Sequence, residues 1–590
     1  MIFEDILEKI GVFGRYQQRL YLAICLRTFC SGMVTFMHVF LAGEMDHWCQ
    51  TPELDIVNCT KWSLDEDQCI QAKKSVGIPL AGSDSSYEYE NCKRYNLTGI
   101  EPSDWFPGWV TSNVTDDTLQ CDAGWVYDTS QFKTSIVTDF DLVCDKKSLP
   151  DLAQSMYFVG VLFSSTFVGA FSDKYGRYKV FIFLITTGAF IICMTGLSNS
   201  YVMFIIIRAL TGVTFFSANV VGFILNNYAY KYSWFQFLRL LAQLGEHLLG
   251  ISSISFWCGG YMLAAGLGYF IRQWRILSFV MSAFPILLCL FIPLLSESPR
   301  WLLSKGRMTE AQKVIRRIAK VNKKDLPDEF FNSLEIQEQE KPQAKSENQP
   351  SVVDLFRYPY LRLKTIVLLI IWFITNLVYY GLSLSTGDLG VDFYVSVFVS
   401  GAVEVPAYLY VTFALDWFGR KLNLCGSLVL GGTACLITLL INAGVWKTIV
   451  AMIGKFAITI TFAIMYIFTT EQFPTVVRNV GLGMCSALSR LGSVSAPLIF
   501  IVSDFWEPLP FVVFGVLSIA GGLTSLLLPE TKGKNLPETI EEGEQFGKKP
   551  KVLSADQDDK DTSINIPVPA DGQNDKLQVP GTINESYLPE

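Results

Sequence analysis

Arg490, Glu404 and Glu471 are ionisable residues set inside, or at the end of, runs apolar enough to cross a bilayer. Arg490 sits near the middle of Asn479–Ile501, a run rich in small residues (Ser486, Ala487, Ser489, Gly492, Ser493, Ala496) that suit close helix packing. An arginine at the centre of such a span costs roughly 2.5–3.5 kcal/mol on insertion scales, so it is expected to face a wet cavity or a partner. Two readings follow: a substrate anchor, or a structural arginine paired with a buried carboxylate. Glu404 and Glu471 need a cation in turn, whether substrate, sodium, a proton or an arginine; for Glu471 the neighbouring Arg478 is one candidate. Trp372, Tyr379, Tyr380, Tyr408 and Tyr466 lie in the same region, and aromatic faces stabilise an ammonium by about 0.5–2 kcal/mol each, although packing explains any single ring as well. This is the chemistry of ion recognition. No nucleophile, base and orienting group occur at a recognisable spacing, so an enzyme is not expected. His38, His47 and His247 are too scattered for a metal cluster, and no cofactor motif is present.

The elements that would position these residues are membrane helices. The chain has 590 residues, 50% hydrophobic and 14% aromatic, with a mean hydropathy of +0.33. The net charge of −8 gathers largely in one polar loop and the tail, which argues against a nucleic-acid partner. An amphipathic segment (1–19) precedes a first apolar span at 20–43, which is too long for a signal-peptide core. Arg27 within it is expected to snorkel to the interface. Five spans follow within 150–295, a polar loop fills 296–364, six more spans occupy 365–528, and 529–590 reads as a disordered tail. The expected fold is an all-α membrane protein of twelve helices in two halves of six, embedded in a lipid bilayer.

Residues 44–149 form a long polar loop with Cys49, Cys59, Cys69, Cys92, Cys121 and Cys144 and sequons at Asn58, Asn96 and Asn113. Six cysteines with three sequons point to an oxidising, glycosylating compartment, and the fifteen possible pairings stay open. Lys174, Arg177, Lys179, Arg300, Lys305, Arg307, Arg420 and Lys421 all fall on the other side by the positive-inside rule. Both signals place the termini in the cytoplasm of a plasma-membrane protein.

The halves echo each other. Asp173, Gly176, Arg177 and Lys179 follow the second span; Asp416, Gly419, Arg420 and Lys421 follow the eighth. Glu297 and Arg300 close the sixth span as Glu530 closes the twelfth. Two parallel repeats suit a rocking carrier with its substrate site between halves. The glycines permit tight turns, and the acids and arginines can pair with helix ends and each other when these ends of the halves are together. Asp173, Gly176, Arg177, Asp416, Gly419, Arg420, Glu471, Arg478, Glu297 and Arg300 are thus the candidate gate.

These motifs resemble the major facilitator superfamily, and more narrowly its organic cation, carnitine and organic anion transporter family, solute carrier family 22. The resemblance rests on S-I-V-T-D-F-D-L-V-C-D at Ser135–Asp145, Gly169–Arg177, S-E-S-P-R-W-L-L at Ser296–Leu303 and T-E-Q-F-P-T-V-V-R-N at Thr470–Asn479, and covers the chain to about Glu541. It implies alternating-access transport of small organic ions by a monomer. Carriers of simple cations resemble one another in an acidic residue in span eleven; here stand Ser489, Arg490 and Leu491, similar to carnitine-type and anion carriers. Anion carriers have a lysine in span eight, where this chain has Glu404 and Tyr408. A fixed positive and a fixed negative group with rings between them imply a zwitterion such as carnitine or a betaine. Arg490, Glu404, Tyr380, Trp372, Tyr408 and Tyr466 are its candidate contacts. The alternatives are a broad organic cation or anion carrier, and a non-transporting receptor or scaffold. The chain departs from the family at Asn226–Leu249, where the acidic turn between spans four and five is not recognisable and Glu246 stands as a displaced remnant. Energy coupling stays open between sodium, a proton and the membrane potential.

Overall fold

The computed structural model describes residues 14–55, 65–80, 89–97, 117–233, 248–327, 330–331 and 351–548. Cys59, Asn58, Asn113, Glu246 and the amphipathic start of the chain lie outside them. Among the described residues, twelve helices carry the architecture: α1 Arg15–Leu41, α2 Leu149–Tyr175, α3 Arg177–Thr195, α4 Tyr201–Ser233, α5 Leu248–Phe270 and α6 Trp274–Leu288, then α7 Pro359–Leu384, α8 Phe393–Phe418, α9 Arg420–Ile437, α10 Val445–Gln472, α11 Arg478–Val502 and α12 Leu509–Ser525. Ten helices among the described residues are long and apolar enough to cross a membrane, and Leu509–Ser525 is a shorter apolar one.

The helices pack as a repeat. In the first half α1 packs on α5, α2 on α4, α3 on α6, α3 on α4 and α1 on α4; in the second, α7 packs on α11, α8 on α10, α9 on α12, α9 on α10 and α7 on α10. Every pair recurs six helices later. The halves meet through α2 on α11 and α5 on α8, which are also equivalent contacts.

Small residues set these approaches. A methyl group at Gly160 would run into the Ala209 carbonyl, and one at Gly212 into the Tyr157 carbonyl, so α2 and α4 touch backbone to backbone. Gly32 and Gly260 meet the Trp257 and Phe29 carbonyls in the same reciprocal way between α1 and α5.

The cysteine-rich loop is a small domain that holds, among its described residues, two antiparallel strand pairs, His47–Cys49 with Trp125–Tyr127 and Lys93–Tyr95 with Thr118–Gln120. Disulfides join Cys49 to Cys121 and Cys92 to Cys144, and Cys69 is also disulfide-bonded. Asn96 directly follows one strand. The Ser135–Asp145 motif docks this domain on the helices: Ser135 caps the turn Ile136–Asp139, whose Asp139 carboxylate accepts from the Trp274 indole at 3.0 Å and pairs with Arg275 at 3.0 Å.

The expectation of disorder is corrected for residues 529–548, while 549–590 lie outside the described residues. The segment to Gly547 is ordered and contains the helix Ile540–Gln545. Its Glu544 accepts from the Tyr360 and Leu361 amides at 3.1 and 2.8 Å, capping the start of α7, while the Lys364 ammonium donates to the Gly543 and Phe546 carbonyls at 3.1 and 2.7 Å. Free amides at one helix start and free carbonyls at another helix end give a polar segment its partners.

Candidate functional site: charges and rings between the halves

Arg490 is 3% exposed on α11, with its guanidinium 4.3 Å from the ring centroid of Phe216 on α4 in the other half. It makes no hydrogen bond or ion pair among the described residues, and its Nε is buried without a partner. Tyr157 lies within electrostatic reach of Arg490, Arg27 and Arg208. Arg208 donates to the Gln154 side chain at 2.9 Å and leaves Nε and Nη1 unpaired. Arg27 does not snorkel, contrary to its sequence position. It is 2% exposed, 3.8 Å over the Phe215 ring, and donates to the Phe215 carbonyl. A ring face and a carbonyl satisfy part of a guanidinium where water is absent.

Glu404 requires the main correction. Lys455 on α10 holds it at 2.9 Å, with side chains 1% and 0% exposed, so Glu404 is not a free negative group opposite Arg490. The Tyr379 hydroxyl donates to the same carboxylate at 2.7 Å, and the Cys258 thiol, on α5 of the first half, donates at 3.4 Å. Lys455 also donates to the Ser383 hydroxyl and stands 3.5 Å from the Tyr379 ring centroid. A lysine amid an apolar span is the same signal that picks out Arg490, and Lys455 was legible by it.

The expected rings come together. Trp372 meets Tyr466 at 4.7 Å, Tyr466 meets Phe462 at 5.7 Å, Phe462 meets Tyr379 at 5.1 Å, and Tyr379 meets Tyr380 at 5.2 Å. Tyr380 then reaches Phe158 of the first half at 4.6 Å. Trp372 is fully buried and donates its indole N–H to Thr469 at 2.9 Å, a packing role within the second half. Tyr408 is 2% exposed and within electrostatic reach of Glu404.

The gate residues form two equivalent clusters, each within its own half. Glu297 accepts from the Tyr178 amide at 3.0 and 3.2 Å, and Glu530 accepts from the Arg420 and Lys421 amides at 3.0 and 2.9 Å. Each carboxylate caps the helix that follows the glycine turn, where free amides and the helix dipole favour an anion. Gly176 (φ 108°) and Gly419 (φ 78°) serve twice, because a side chain there would also strike the capping carboxylate. Arg177 pairs with Asp173 at 3.3 Å inside the turn. Glu471 pairs with Arg420 at 3.3 Å, not with Arg478, which instead donates to the Phe473 carbonyl at 3.4 Å. Asp416 and Arg300 are exposed and make no ion pair among the described residues. Glu530, the counterpart of Glu297, completes the set.

The sequence matches the family described as "Sugar (and other) transporter" over residues 126–542. It is 35% identical to an organic cation transporter protein of Drosophila melanogaster, over 93% of this chain and 96% of that protein. It is 33% identical to human solute carrier family 22 member 13, over 95% and 96%. The chain belongs to solute carrier family 22. The inward-open xylose transporter XylE of E. coli superimposes with a TM-score of 0.55 at 13% identity, over 90% of this chain and 100% of that one, which shows the major facilitator fold. This family member is a multi-pass membrane transporter for solutes and not an enzyme. Its relatives include a Drosophila carcinine transporter, 34% identical over 92% of this chain and 79% of that protein.

Proposed function

We propose that this transporter is a plasma-membrane carrier of small organic ions that bear a carboxylate, zwitterions such as carnitine and betaines among them, with both termini in the cytoplasm. The observation that carries this is Arg490: a buried guanidinium between the halves without an anion among the described residues, while the candidate acid Glu404 is already neutralised by Lys455. A substrate carboxylate would complete Arg490 through parallel N–H donors. The ammonium of a zwitterion would rest on ring faces such as Tyr380 and Tyr466, which need no fixed negative charge to attract it. In this reading Glu297 and Glu530, with their capped turns, keep each half rigid while the halves rock.

Uptake of labelled carnitine by cells expressing the chain tests the assignment. Arg490→Ala at normal surface abundance is expected to lose most uptake and Arg490→Lys to keep part of it. Unchanged uptake by Arg490→Ala removes the assigned role. A second reading, a broad organic cation carrier, is favoured by the names of the relatives. Under it, tetraethylammonium competes with carnitine better than dicarboxylates do, and Arg490→Ala takes up more tetraethylammonium. Replacing sodium in the uptake medium decides whether sodium drives the step.

A further inference from the structure

The Lys455 ammonium is held as a bound ammonium ligand would be. One proton points to Glu404 at 2.9 Å, another to the Ser383 hydroxyl, and the charge lies 3.5 Å from the Tyr379 ring centroid. The oxygen that pairs with Lys455 also accepts from the Tyr379 hydroxyl at 2.7 Å, and the other carboxylate oxygen accepts from the Cys258 thiol at 3.4 Å. Every one of these receiving groups comes from α5, α7 or α8; only the ammonium comes from α10. The arrangement also touches both halves through Cys258, and Tyr379 is next in chain to Tyr380 in the wall of rings. A structural ion pair needs a carboxylate and a cation. It does not need a ring face, a hydroxyl and a braced carboxylate converging on one ammonium.

We propose that Glu404, Tyr379 and Ser383 form an alkylammonium-binding site whose resident occupant is the tethered side chain of Lys455, and that Lys455 thereby excludes organic cations from the carrier. The inference rests on the carrier reading above and deepens it. It assigns charge selectivity to a residue that would touch no carboxylate substrate. Truncating Lys455 to alanine removes three carbons and the nitrogen, the heavy atoms of n-propylammonium, so that small cation is the matched probe.

The experiment uses the full-length Lys455→Ala chain. In detergent, n-propylammonium is expected to raise its melting temperature in a concentration-dependent way. n-Propanol, of similar size but uncharged, is expected to have no such effect. Neither wild type nor Lys455→Ala/Glu404→Gln should respond to n-propylammonium. In cells, uptake of labelled n-propylammonium should rise about tenfold over wild type, equivalent to about 1.4 kcal/mol of added binding. If Lys455→Ala does not reach the surface unaided, n-propylammonium in the growth medium should restore it. An amine-independent melting temperature and unchanged amine uptake overturn the proposal, as does failure of the amine to restore a variant that does not mature. None of these readouts passes through Arg490. A Lys455→Ala carrier that gains neither amine stabilisation nor amine uptake while carnitine uptake stays Arg490-dependent sinks this inference alone, and the converse result sinks only the carboxylate assignment.

Discussion

Arg490 and Lys455 hold the same unit charge in opposite ways, and the difference decides what each can do. Lys455 has a carboxylate, a hydroxyl and a ring; Arg490 has one ring and an unpaired Nε. Removing one member of a buried pair strands the other, at a typical cost of about 3–5 kcal/mol, whereas replacing both by neutral residues of similar volume is often close to neutral. Glu404→Gln alone is therefore expected to lower the melting temperature and surface abundance sharply, and Lys455→Met/Glu404→Gln to recover most of the loss. A double variant as unstable as the single would show that Glu404 has another essential partner. At this scale the sequence displayed each buried charge, because a lysine, glutamate or arginine inside an apolar run is conspicuous in one dimension. It did not display the pairing. Residues 404 and 455 lie on different helices, and only the packing of α8 on α10 joins them. The same holds for Glu471, whose nearby Arg478 looked like its partner while the fold supplied Arg420.

Helices were legible from hydropathy because a span needs about twenty apolar residues whatever its neighbours. Their contacts were less legible, since small residues mark a close approach without naming the helix approached. Gly160 and Gly212 illustrate this, each facing the other helix's backbone. Gly160→Ala is expected to destabilise by about 1–3 kcal/mol or more, as overpacking does in a tight interface. On the same helix nothing lies within 4 Å of a methyl placed at Gly169, so Gly169→Ala should cost nothing measurable or stabilise slightly. Thermal unfolding of the two variants side by side checks the contrast, and equal effects would refute it.

The end caps belong to this scale too. Burial pushes the Glu530 carboxyl up, but the amides of Arg420, Lys532, Lys421 and Thr531 outweigh it and hold the group below the ordinary glutamate range. A lowered native value means that the stability it contributes is fully present above the ordinary pKa of about 4.3 and is lost as the pH falls below it. Glu530→Gln is expected to cost about 1 kcal/mol at neutral pH, the usual size of a lost cap. The gap in melting temperature from wild type should narrow on acidification below about pH 4. A gap independent of pH would mean that the carboxylate charge is not what caps α9.

At the scale of the whole molecule, the two-fold repeat was readable from the paired glycine turns, and the observed helix pairs reproduce it six helices apart. The contacts that close the cysteine-rich end were not readable, because they join the loop to α8 across the repeat. Phe132 of the loop and Phe40 of α1 pack on Phe393 at 5.3 and 5.7 Å, Tyr269 of α5 packs on Tyr394 at 5.5 Å, and the Tyr394 hydroxyl donates to the Gln131 carbonyl at 2.9 Å. In the proposed rocking of one half against the other, this cluster has to break each time that end opens. Tethering Gln131→Cys to Tyr394→Cys with a short, reducible bifunctional thiol reagent should therefore stop carnitine uptake, and reduction should restore it. The spacing suits such a tether, since the reagent replaces the tyrosine ring that now bridges the two positions. The same reagent on wild type controls for the native free cysteines. Continued uptake by fully tethered protein would mean that solute enters without separation of α8 from the loop, and that the rocking assigned to the two halves is not the transport motion.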